Sequence, residues 1–249
     1  MKIGIIGCGI SGVSAARRMF LGNTEMPIEI TLFDKGRSVA GRLSTKRVEK
    51  GGRNYSFDYG GQYWTISQPE FAAVNEELIK KDIVEEWKGH IGVIDRANKK
   101  AVLSQSNSSI KRYVGVGGNN NLVKALLEPM KSPTSAKTKI NVVVNCKIDK
   151  ITRTNQNKWD FIDEKGKLLE TFDIAICTAP PIQTQAILNI QQNQSISKDF
   201  VETLQNATMK PCWALMIGYD RFTSLPFDAA FVNNSDKIYW MARNTRFQT

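Results

Sequence analysis

The chain has 249 residues, 41% hydrophobic and 23% charged. That is enough to bury a sizeable core as one large domain or two interleaved ones, and it excludes a disordered or fibrous chain. A net charge of +10 fits either nucleic acid or an anionic small substrate as partner. Outside 34–53 the basic residues are scattered, and no RNA-binding or zinc-finger pattern accompanies them, so nucleic-acid binding ranks last.

No apolar run reaches the ~18 residues of a membrane-spanning helix. The opening "KIGIIG" is too short and too glycine-punctuated for a secretory leader, so a cytoplasmic protein is expected. Cys8, Cys146, Cys177 and Cys212 are far apart without C-x-x-C spacing, and read as reduced, buried thiols. His90 is the single histidine. No nucleophile-elbow pattern accompanies it, so neither Ser-His-Asp chemistry nor a zinc site is expected, and it is placed on the surface or at a strand edge.

The first predicted element is a short buried strand over 2–6, "KIGII". It runs into Gly7-Cys8-Gly9-Ile10-Ser11-Gly12, a G-x-G-x-x-G. A helix follows, with Val13, Ala16 and Phe20 on one stripe and Gly22 as its stop. A second strand, "IEITLF" over 28–33, ends at Asp34. Strand, glycines, helix, strand and acid in that order describe a dinucleotide-binding βαβ unit. Gly7 permits the tight turn, Gly9 lets backbone approach a pyrophosphate, and Gly12 lets the helix pack close. Asp34 is placed to accept hydrogen bonds from ribose hydroxyls, which suits NAD and FAD equally.

Seven Lys/Arg against two acids then fill 34–53, and Ala40-Gly41-Arg42 lies inside that run. A guanidinium is a permanent planar donor for phosphate oxygens. "LST" follows Arg42, and "FDYGGQYWT" occupies 57–65. With these motifs the chain resembles the amine-oxidase superfamily of flavoproteins, and "AGRLST" with "FDYGGQYWT" is most similar to its renalase-like branch. Ala40 stands where that branch has the first glycine of Gly-Gly-Arg.

Further along, "PEFAAVNEELIKK" predicts a helix with Phe71, Val74 and Leu78 on one face, and short strands are expected near 84–105. "YVGVGGNNNLVKALLEPM" (113–130) reads as strand, glycine turn and helix. "INVVVNCKIDKI" reads as a strand with its continuation, and "KWDFIDEKGKLLETFD" as a hairpin around Glu164-Lys165-Gly166. "DIAICTAPP" is a buried strand ending in a small-residue–Pro turn, 197–206 is a further helix, and 211–219, 229–232 and 237–243 read as strands. Trp213, Tyr239 and Trp240 are either core or the lining of a substrate cavity.

The resemblance implies an α/β fold: a Rossmann-like FAD-binding domain with a parallel sheet and β-meander (1–66 and 113–182), and an interleaved α+β substrate domain with a mixed or antiparallel sheet (67–112 and 183–249). It implies FAD as cofactor, held by Gly7, Gly9, Ile10, Ser11, Gly12, Asp34, Lys35, Gly41, Arg42, Gly60, Gly61, Gln62, Tyr63, Ile148 and Thr178. Ser11 and Arg42 would meet the diphosphate, Gly61, Gln62 and Tyr63 would lie beside the flavin, and Ile148 would offer backbone to the adenine. Trp64 reads equally as flavin neighbour or as core. The implied reaction is hydride transfer from a small substrate, reduced NAD(P) forms being candidates, to the flavin with reoxidation by oxygen. No acid–base residue is assigned and no metal is expected. Relatives of this type continue through a final Gly-Asp-plus-helix motif with no counterpart after "ARNTRFQT", so a C-terminally truncated form is expected. The alternatives are an amine- or carotenoid-type flavin oxidase, or a truncated, non-catalytic FAD- or nucleotide-binding protein.

Overall fold

In the computed structural model, residues 1–22, 26–103, 110–131, 137–190, 196–219 and 225–244 are described. In chain order the first elements are β1 (Lys2–Ile6), α1 (Ile10–Gly22), β2 (Ile28–Phe33), a 3-10 turn at Gly41–Leu43, β3 (Thr45–Lys50) and β4 (Arg53–Asp58). Then come α2 (Pro69–Ile79), β5 (Val84–Glu86), β6 (Ile91–Asp95), β7 (Lys100–Leu103), β8 (Tyr113–Gly115) and α3 (Asn120–Lys131). The remainder are β9 (Thr138–Val143), β10 (Ile148–Arg153), β11 (Trp159–Asp163), β12 (Leu168–Phe172), β13 (Ile174–Cys177), α4 (Pro181–Leu188), α5 (Lys198–Asn206), β14 (Ala229–Asn233) and β15 (Trp240–Ala242).

The chain divides into two compact units, 1–42 with 123–213 and 43–122 with 214–249. The first is built on an all-parallel sheet in the order β13-β1-β2-β9. Four of the five β1 residues and five of the six in β2 are buried, as central parallel strands covered on both faces require. The antiparallel meander β10-β11-β12 packs on it through an aromatic core. Phe161 lies 4.6 Å from Phe172 and 5.6 Å from Phe33, centroid to centroid. This is an α/β fold with a Rossmann-like sheet.

The second unit carries a mixed sheet, β15-β14-β6-β7, in which β14 runs parallel to β6 and the other pairs are antiparallel. It also holds two ribbons, β3-β4 and β5-β8. Its core gathers Trp87, Ile91, Val114 and Ala229, with Tyr63, Phe231 and Trp240 against them. No helix among the described residues is long and apolar enough to cross a membrane.

Three expectations change. Residues 211–219 form no strand: the stretch pairs with nothing among the described residues and lies exposed, Trp213 at 95% and Leu215 at 85%. An apolar pattern specifies a strand only where a partner strand accepts its ladder. Trp213 is therefore neither core nor cavity wall, and Cys212 beside it is exposed rather than buried. "INVVVNCKIDKI" is not one strand continued but two strands of different sheets, β9 and β10. Between them Asn145 takes φ +53, and the backbone leaves the ladder to bond Gly36 (Asn145 N–H to Gly36 O, 2.8 Å) and Asp34 (Cys146 N–H to Asp34 O, 2.9 Å).

Candidate functional site

The turn from β1 into α1 is tied on three sides. Gly7 N–H donates to Phe33 O at 2.8 Å, Cys8 N–H to Asp34 Oδ2 at 2.8 Å, and Ala40 N–H to Cys8 O at 2.9 Å. α1 starts at Ile10, with Gly9 O accepting from Val13 N–H at 3.0 Å. The first N–H groups of the helix have no intrahelical acceptor and sit at the positive end of its dipole. Ile10 is half-buried there and Ser11 is exposed.

The three motif glycines have different physical reasons. Gly7 sits at φ +105. A Cβ at Gly12 would lie 1.9 Å from Gly7 O, a backbone atom that cannot step aside. A Cβ at Gly9 would meet nothing nearer than Ala40 O and Gly41 Cα, both at 4.0 Å. Packing thus explains Gly7 and Gly12 but leaves a small cradle over Gly9.

Asp34 follows β2 and is half-buried. Its Oδ1 accepts from Gly36 N–H at 2.7 Å and its Oδ2 from Cys8 N–H. These two bonds fix the carboxylate while each oxygen keeps a lone pair for a further donor. Burial, then the Asp34 charge, push the Cys8 thiol up to about 12, so it is neutral and no nucleophile near pH 7. Beside Gly9, Ala40 bridges to it and adopts φ +104, a conformation L residues rarely hold. Gly41 at φ +52 opens the 3-10 turn. Arg42 follows, exposed, with no hydrogen bond or ion pair among the described residues. Lys35 is also exposed.

Two predicted contacts face inward. Thr178 N–H and Oγ1 both donate to Ile6 O, each at 2.9 Å, so its hydroxyl fastens the end of β13 to β1. Ile148 is buried in the aromatic core, and its backbone opens β10 opposite Asp163.

Gly60, Gly61, Gln62 and Tyr63 belong to the other unit. There the Tyr63 ring stacks on Trp87 (5.9 Å, 28°), meets Trp240 at 5.7 Å, and carries the Arg112 guanidinium 5.5 Å from its centroid. Gln62 Oε1 accepts from Trp240 Nε1. Trp64, half-buried, donates its indole N–H to the Oδ1 of buried Asn75 at 2.9 Å.

Sequence reasoning passed over the residues that shape this loop. Asn119 and Asp58 are both buried, and Asn119 N–H donates to Asp58 Oδ1 at 3.0 Å. Thr45 Oγ1 donates to the same oxygen at 2.6 Å, and Asp58 N–H donates to Asn244 Oδ1 at 2.7 Å. The only local signals were the acid of "FDYGG" and the run Asn119-Asn120-Asn121. Among the described residues no cluster of His, Cys, Asp and Glu could hold a metal ion.

Residues 5–78 match the NAD(P)-binding Rossmann-like domain family. In fold the chain is similar to an oxidoreductase from Methanosarcina mazei, with TM-score 0.55 and 12% identity over 83% of this chain and 65% of that one. It is similar also to a protein from Pyrococcus furiosus, with TM-score 0.56 and 11% identity over 99% of this chain and 75% of that one. At these identities the likeness is one of fold. The chain spans 65% of the length of the Methanosarcina mazei protein.

Proposed function

We propose that this chain is an FAD-dependent oxidoreductase of the renalase-like type, with the β1–α1 turn as the seat of the cofactor's diphosphate. The observation that carries this reading is the cradle over Gly9, which packing does not require, beside an exposed arginine that has no partner among the described residues. Gly9 lets the backbone approach a phosphate, the N–H groups of Ile10 and Ser11 donate to it, and Arg42 supplies the permanent charge. Asp34, held by Cys8 and Gly36 N–H, accepts from the ribose hydroxyls. Asp34 also bonds the backbone of Val143 and Cys146, and Ile148, two residues further on, offers its backbone to the adenine in this reading. When bound, the flavin supplies the two-electron acceptor for a hydride from a small substrate. The protein's share is to bind and orient it, and no side chain is needed to move a proton in simple hydride loss. A surface of net charge +10 favours an anionic substrate such as a reduced nicotinamide dinucleotide.

A second reading places a nicotinamide dinucleotide itself on the turn, and the match of residues 5–78 to an NAD(P)-binding family favours it. Gly41-Arg42 tips the choice to FAD, because in the renalase-like pattern that pair follows the ribose acid.

The test is a visible spectrum of the purified chain with added FAD. A flavin band retained near one equivalent supports the reading; a colourless chain that takes up no FAD but binds NADH gives the site to the second reading. Arg42→Ala lowers FAD retention more than Arg37→Ala or Lys46→Ala. Equal losses from all three reduce the arginine to a member of a charge cloud.

A further inference from the structure

The Asn119 side chain uses both of its N–H donors and its amide oxygen. Nδ2 donates to Gly61 O at 2.9 Å and to Gln62 O at 2.8 Å, and Oδ1 accepts from Gly115 N–H at 2.7 Å. A fully buried asparagine holding two successive carbonyls has a consequence for the peptide planes beyond them. No cis peptide occurs among the described residues, and across a trans plane the carbonyl of one residue and the N–H of the next point in opposite directions. With the Gly61 and Gln62 carbonyls turned onto Asn119, the N–H groups of Gln62 and Tyr63 are turned away from it. Neither donates to any described residue. Their side chains are pinned elsewhere, Gln62 by Trp240 and Tyr63 by Trp87 and Trp240. The far side of this loop therefore presents backbone donors, preceded by two residues without side chains.

We propose that Asn119 is a positioning residue, which turns the Gln62 and Tyr63 N–H groups outward as a donor pair for acceptor atoms on the edge of a carbonyl-bearing heteroaromatic ring. Asp58 and Thr45 complete the device, because Asp58 Oδ1 accepts from both Asn119 N–H and Thr45 Oγ1. Two fixed N–H donors match an edge carrying a carbonyl oxygen and a neighbouring ring nitrogen. The choice of a flavin as the ring rests on the reading above.

The test is a titration of the 15N-labelled chain with FMN, which has the ring but no adenosine and so does not depend on Asp34. Amide shifts and hydrogen exchange are read at Gln62 and Tyr63, with inorganic phosphate as control. FMN moves both resonances downfield and slows their exchange by about tenfold or more, and phosphate does neither. Asn119→Ala abolishes the protection, Thr45→Val weakens it, and Thr45→Ser restores it. If Asn119→Ala does not fold, the Thr45 pair carries the result. The inference is overturned if FMN binds without touching these two amides, if it binds nowhere, if phosphate protects them equally, or if the variants lower the melting temperature while protection persists. Loss of FAD retention with FMN protection intact removes the diphosphate reading and leaves this one; FAD retained by the turn with Gln62 and Tyr63 unmoved does the reverse.

Discussion

Gly9 and Gly12 are the same residue three positions apart, and alanine at each has opposite expected effects. At Gly12 the new Cβ would lie 1.9 Å from Gly7 O. The start of α1 must shift by about 1 Å to restore a tolerable contact, an overpacking strain of ~3 kcal/mol. For a chain of this size that lowers the melting temperature by roughly 6–12 °C. At Gly9 φ is not positive and the nearest atoms lie 4.0 Å away, so alanine fits the backbone. Gly9 caps α1, and replacing glycine there with alanine loses ~0.7 kcal/mol. A stiffer unfolded chain returns about 0.4–1 kcal/mol. The two nearly cancel, so Gly9→Ala should melt within about 2 °C of the parent.

Ligand affinity separates them the other way. The methyl at residue 9 occupies the cradle and pushes a phosphate off the helix N–H groups. Losing one charge-assisted hydrogen bond, ~1.5–3 kcal/mol, weakens FAD binding by roughly 10- to 150-fold. Calorimetric melts of the two variants and an FAD titration of Gly9→Ala make the assay. A Gly9→Ala chain that melts as low as Gly12→Ala refutes the packing distinction. One that melts normally and binds FAD like the parent refutes the claim that the cradle receives the diphosphate.

Ala40→Gly should raise stability modestly. Releasing φ +104 recovers about 1–3 kcal/mol of strain, against ~0.8 for a lost methyl and roughly 0.5–1 for glycine's freedom when unfolded; a urea melt showing a loss above ~1 kcal/mol would refute the strain. Under native conditions the exposed thiol Cys212 should react with a disulfide reagent first, and Cys8, buried with its pKa pushed up to about 12, only on unfolding; rapid native labelling of Cys8 contradicts this. Lys2 N–H, then Lys158, hold the Asp173 carboxyl below its usual range. Its stabilising contribution is therefore complete above the unfolded carboxylate pKa, ~3.9, and disappears as pH falls through the lower folded value. Asp173→Asn should lose less stability than the parent between pH 5 and pH 2, measured by thermal melts across that range; parallel curves would show that the carboxylate adds nothing.

Elements whose limits are chemical were legible in the chain. β1 and β2 end where the sequence places a glycine turn and an acid, and α2 begins at Pro69, where a missing N–H is harmless. Elements whose limits depend on a remote partner were not. Residues 211–219 have the apolar pattern of a strand and no ladder, while 138–153 contains one such run divided between two sheets. What ends β9 is the demand of Gly36 and Asp34, more than a hundred residues earlier, for the backbone of 143–146.

The candidate site separates along the same line. G-x-G-x-x-G followed by an acid places every one of its residues near one turn, because the pattern is local and Gly7 and Gly12 have steric reasons. It does not say which glycine packing requires and which it leaves open; only the distances around Gly9 and Gly12 do that. Tyr63 resembled its neighbours in the "FDYGGQYWT" motif, yet its ring belongs to the aromatic core with Trp87 and Trp240. A side chain turned inward does not remove a residue from a site, because its N–H points where the peptide plane sends it. That direction is set by Asn119, 56 positions away from Tyr63 in the numbering of the chain, through hydrogen bonds to carbonyls that carry no trace in the sequence. A motif written in side chains cannot record a contact made by backbone, and the asparagine that enforces it is legible only once the loop is folded against it.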